Sequence, residues 1–138
     1  MAVAWPLYLV MIVFTVMGVA VIVSPSKLLA RYYSAERMEE FVASSMWPAF
    51  VSITRYVGIF CMVFTYYIAS QVADGDVDDA ATMSCMITVP IVLANVFRLT
   101  LEVQLSPKTW SSEAAAAAKI NGALFGACMI LSLASLYM

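Results

Sequence analysis

Asn95, Arg98 and Glu102 are the polar residues of this chain best spaced to do chemistry. They stand three, four and seven positions apart inside an apolar run, which puts them on one face of a helix. Arg55 interrupts another apolar run at similar depth. Charge inside hydrocarbon is costly and is usually paired. The expectation is that Arg55 and Arg98 converge on Glu102, with Asn95 adding hydrogen bonds. Such a cluster can hold an anion, a lipid headgroup or a proton. It can equally pin two helices together as a structural ion-pair network, or let its arginines snorkel to headgroups.

Other residues carry weaker signals. Gly122 and Gly126 form a GxxxG pair that Ala118 extends by a turn. Small residues let helix backbones approach closely where lipid supplies no hydrophobic drive, so this face is expected to pack within the fold or against another subunit. Tyr56, Phe60, Phe64 and Tyr67 follow helical steps of four, four and three. They read as core or lipid contacts, or as flat surfaces for a pigment, quinone or lipid tail. Asp74, Asp76, Asp78 and Asp79 open like a calcium loop, but an EF-hand needs Gly at its sixth position and Glu at its twelfth. Those positions hold Asp79 and Cys85. The aspartates read as a solvated turn, with weak docking of a basic soluble protein as the functional alternative.

Cys61, Cys85 and Cys128 lie in apolar runs and read as small buried hydrophobes; an odd number without spacing excludes a disulfide framework. The chain has no histidine, which excludes His-ligated haem, the usual catalytic zinc sites and Ser-His-Asp or Cys-His pairs. No metal site and no required cofactor are expected. Bound lipids are expected, with pigment or quinone contact open.

The elements that position these residues follow from composition. Hydrophobic residues make up 64% of the 138 positions and charged residues 12%. Soluble domains average roughly 45–50% apolar and about 25% charged, and a small domain cannot hide such an excess from water. Lipid must be the solvent. Four apolar runs, about 3–23, 48–70, 80–101 and 115–137, are long enough to cross a hydrocarbon core of about 30 Å. The first lacks a basic start and a small-x-small cleavage site, so it reads as a retained span. Between spans one and two, positions 25–46 mix apolar and charged faces, with Ser24 as N-cap and Pro25 at the first helical position. That segment is expected to lie in the interface as one or two short helices. Pro90 is expected to kink span three. The expected fold is an all-α integral membrane protein of one domain, 1–138: an up-down bundle of four transmembrane helices with a short interfacial amphipathic element.

Charge orients it. With alternating spans, Lys27, Arg31, Arg37, Arg55, Arg98, Lys108 and Lys119 fall at or near one face, together with Trp47, Trp110, Tyr32 and Tyr33. The other face takes the aspartates, Trp5, Tyr8, Tyr66, Tyr67 and Tyr137. The positive-inside rule places the termini and the 72–79 loop on the lumenal, intermembrane or exterior side. A mitochondrial inner membrane or a thylakoid is favoured over a plasma membrane.

Function is expected to be non-enzymatic: an accessory, structural subunit of a larger energy-transducing membrane complex, respiratory or photosynthetic. Its partners are membrane lipids and other integral membrane subunits, and no basic stripe points to nucleic acid. The alternatives are a small oligomeric transporter or channel using Arg98 and Glu102, and a membrane lipid-modifying enzyme or its scaffold.

Overall fold

A computed structural model describes the chain over residues 3–102 and 109–138, and its side chains over 3–100 and 109–138. Helix α1 runs Trp5–Val23, with Pro6 in the first turn, where a missing N–H costs little. It stops at Ser24, whose N–H still bonds Ala20 O at 3.0 Å. Pro25 disfavours helical backbone at the preceding residue, and Ser24 takes φ −134°, ψ 57°. The chain turns there into α2, Pro25–Tyr32. Tyr33 is extended, and Ser34 caps α3, Ala35–Ala43, by accepting the Arg37 N–H at 3.4 Å. The connector is thus two short helices. On α3, Arg37 Nη1 and Glu40 Oε2 lie 2.6 Å apart and exposed, a geometry that contributes little to stability.

Helix α4 runs Trp47–Asp74. Its 28 residues span roughly 42 Å at about 1.5 Å each, longer than a hydrocarbon core. Gly75 ends it at φ 89°, where L side chains are strained. The Gly75 N–H bonds Val72 O at 3.3 Å and the Asp76 N–H bonds Gln71 O at 2.8 Å, the pair of a Schellman cap. Helix α5 begins at once, Val77–Phe97, with Asp78 and Asp79 beside its positive N-terminal end. The loop expected over 72–79 therefore shrinks to Gly75 and Asp76, because the cap on one side and the aspartates on the other let both helices run to the turn. Helix α5 continues through Pro90 without a break and widens into a π-helical turn over Arg98–Glu102. Helix α6 is Ala114–Tyr137.

Four of these helices are long and apolar enough to cross a membrane: α1, α4, α5 with its extension to Thr100, and α6. Helix α1 packs chiefly on α4, and α5 chiefly on α6. Phe14 of α1, fully buried, joins the two pairs. Its ring meets Phe64 of α4 edge-on at 4.7 Å and Phe125 of α6 at 5.3 Å. Leu7, Val10, Ile68, Ala80, Ala81 and Cys128 complete the core around it. The Val3 N–H bonds Ser135 O at 3.0 Å, so the start of α1 lies against the end of α6.

The two pairs are held differently. Gly18 and Gly58 bring the backbones of α1 and α4 together. A Cβ on Gly58 would stand 2.8 Å from Gly18 O and 2.7 Å from Ile22 Cγ1. Between α5 and α6, the hydroxyls of Ser84 and Ser132 lie 2.6 Å apart, both fully buried. Ser132 donates its own proton to Cys128 O at 2.8 Å, so Ser84 is the donor between the two hydroxyls.

Candidate functional site

The polar side chains that converge lie at the end of the helices where α1 stops and α6 begins. Tyr33 bridges Trp110 through the backbone. The Ser34 N–H bonds Thr109 O at 2.9 Å, the Ser111 N–H bonds Tyr32 O at 2.8 Å, and Ser111 Oγ donates to Arg31 O at 2.6 Å. These bonds tie the α2–α3 connector to the segment that leads into α6. Side chains finish the tie. The Tyr33 ring stacks on Trp110 at 5.2 Å and meets Phe41 edge-on at 5.0 Å, and Phe41 stacks on Phe50 at 5.4 Å.

Arg98 enters this cluster from the π turn. Its guanidinium carbon sits 4.6 Å from the Tyr32 ring centroid and 5.6 Å from that of Trp110. A cation over an aromatic face is attracted by the ring quadrupole, and more strongly away from water. Asn121 Nδ2 of α6 donates to the Tyr32 hydroxyl. Tyr32 thus receives an arginine on its face and an amide at its tip. Sequence reasoning placed Tyr32 and Trp110 only at headgroup depth; the chain separation between Tyr32 and Asn121 left no local spacing to reveal their contact.

Asn95 is 6% exposed and faces α6, where a Cβ on Gly122 would stand 3.5 Å from its own Cβ. Its Nδ2 donates to Ile91 O at 2.8 Å. The carbonyl of Ile91 can only accept, which fixes the orientation of the amide. Oδ1 then points into the interior with no hydrogen-bond partner among the described residues. Arg55 is exposed on α4. The expected convergence of Arg55 and Arg98 on Glu102 involves a carboxylate that lies outside the described side chains, as Lys108 lies outside the described residues.

The remaining candidates divide by environment. Ala118 is fully buried and Gly122 meets Asn95, but nothing lies within 4 Å of where a Gly126 Cβ would stand. The pair that brings backbones together is Gly18 with Gly58, one glycine from each of two helices; no spacing within either helix announces it. The aromatic row of α4 also splits. Phe64 is core at 4% exposure, whereas Tyr56 is 67% and Phe60 54% exposed, with Tyr67 at 36%. Asp74, Asp76, Asp78 and Asp79 are all exposed around the Gly75 turn. Among the described residues, no three Cys, Asp or Glu side chains gather closely enough to hold a metal ion.

A groove of about 610 Å³ opens between the end of α1, α2 and the start of α6. Lys27 and Arg31 of α2, Glu113 just before α6 and Asn121 of α6 supply its polar rim. Met17 and Ala20 of α1 with Ile120 of α6 form part of its apolar wall. After the Ser24–Pro25 turn, α2 packs against α6 and brings Lys27 and Arg31 to this groove. No family model, curated protein or solved structure matches this chain.

Proposed function

We propose that this chain is a non-catalytic accessory subunit of a larger energy-transducing membrane complex, respiratory or photosynthetic. In this reading it forms an up-down bundle of four membrane-crossing helices. The amphipathic helices α2 and α3 lie in the interface on the basic side. The termini and the Gly75 turn face the lumenal, intermembrane or exterior compartment of a thylakoid or mitochondrial inner membrane.

The observation that carries the reading is the outward face of α6. Ala116, Ile120, Ala123, Ala127 and Ile130 are exposed. They recur at alternating steps of four and three, the period of a helix-packing seam. Small residues between two isoleucines suit a neighbouring helix, because association in lipid depends on close packing rather than on escape from water. Gly126 beside this seam has open space where a side chain would stand. The exposed aromatics Tyr56, Phe60 and Tyr67 of α4 are suited to lipid, pigment or quinone contact.

Purification in a mild detergent tests the proposal. The chain is expected to migrate with a large assembly, and Gly126→Leu is expected to leave it folded while releasing it from that assembly. A free small oligomer that moves solute across liposomes would overturn the reading. A small transporter or channel is the second reading. It draws on the buried Oδ1 of Asn95 and on Arg98, but Arg98 sits near one end among aromatic rings, whereas transporter sites usually lie near the midplane.

A further inference from the structure

We propose that the groove between α1, α2 and α6 binds one glycerophospholipid, with its phosphate between Lys27 and Arg31 and an acyl chain against Met17 and Ala20. The inference requires only that the helices lie in a membrane; it is independent of the subunit reading. Three observations carry it.

The first is size: about 610 Å³ lies within the range of roughly 300–1,000 Å³ typical of small-molecule sites. The second is the order of polarity along the groove. Lys27 and Arg31 follow the end of α1 at Val23, whereas Met17 and Ala20 lie back along α1 toward the interior of the span. A phospholipid has this same order, charged phosphate outward and chain inward. The third is charge. Two cations and the Glu113 carboxylate line the rim, which leaves one net positive charge. A phosphate monoanion neutralises it.

The ammonium and guanidinium groups stand on long apolar stems that can lie along the groove while their heads reach the interface. Helix α2 cannot swing away easily. Arg31 O is held by Ser111 Oγ and the Tyr32 hydroxyl by Asn121, so both cations stand on a helix fastened to α6 and to the segment that leads into it. A preorganised site of this kind loses less freedom on binding than a free loop.

Native mass spectrometry of the full chain in detergent tests the proposal, with dioleoyl phosphatidylglycerol as the probe. One lipid per chain is expected. Galactosyl diacylglycerol with the same chains is expected to bind far more weakly, and glycerol 3-phosphate at equal concentration to leave the lipid in place. Lys27→Gln with Arg31→Gln should weaken phosphatidylglycerol about thirtyfold, as two basic groups near an anionic headgroup would. Arg37→Gln, on α3 and outside the groove, should leave it unchanged. Glu113→Gln should tighten binding about fivefold by removing the opposing charge. That variant decides the matter even where the double variant fails to fold. Equal affinity for the galactolipid, displacement by glycerol 3-phosphate, undiminished binding in a folded double variant, or no gain from Glu113→Gln would each overturn the proposal.

Discussion

The α1–α4 and α5–α6 pairs solve one problem in two ways. Both join helices long and apolar enough to cross a membrane, where lipid would supply no hydrophobic drive between them. Helices α1 and α4 do so by removing side chains: Gly18 and Gly58 face each other and the backbones close until Gly18 O lies 2.8 Å from where a Gly58 Cβ would be. Helices α5 and α6 keep their side chains and join buried hydroxyls, Ser84 to Ser132, while Asn95 packs over Gly122. The first contact is intolerant of any added atom. The second is tolerant of size but sensitive to loss of a polar partner. Phe14 makes the two interdependent by touching an aromatic ring on each side.

Five substitutions in four experiments would sharpen or break this contrast, and Gly58→Leu is the most severe. Overpacking typically costs about 1–3 kcal/mol, and here the obstacle is backbone, so about 3 kcal/mol is expected. Steric-trap unfolding in bicelles measures it; a loss near zero would mean the two helices are not in glycine contact. Arg98→Gln comes next. Removal of a half-buried cation from an aromatic face is expected to cost about 1 kcal/mol, visible as earlier proteolysis of the α2–α3 connector. If proteolysis is unchanged, the aromatic cluster holds the connector without the arginine.

A double-mutant cycle on Ser84→Ala and Ser132→Ala should give a smaller coupling, about 0.6 kcal/mol, the average for buried polar pairs in membrane helices. Zero coupling would leave α5 and α6 held by packing alone. The smallest effect belongs to Gly126→Ala in the isolated chain, within about 0.5 kcal/mol as for a surface site. A melting temperature lowered as far as by Gly58→Leu would place Gly126 inside the fold after all.

Much of the helical layout was legible in the sequence, residue by residue. Ser24–Pro25 marked the end of α1, and the mixed faces of 25–46 pointed to one or two short helices between spans. Each signal is local: a proline, a period of charge. The site was less legible. The spacing of Asn95 with Arg98 pointed to a polar face, but not to Tyr32 and Trp110 as the rings that receive the guanidinium. The GxxxG spacing in α6 named Gly122 and Gly126, yet the tightest glycine contact falls on Gly18 and Gly58, single glycines in separate helices.

The sequence by itself determined the number of helices long and apolar enough to cross a membrane. Hydropathy adds up along a run, and four runs of this chain reach the length and apolarity that a hydrocarbon core requires. The tertiary structure alone decided which faces meet. The rotation of each helix about its axis is set by all its neighbours at once, and a small change in rotation exchanges a buried residue for an exposed one. Hence Phe64 is core while Phe60, one turn earlier on the same helix, is not. For the same reason Lys27, Arg31 and Glu113 share one groove only after α2 has folded back against α6.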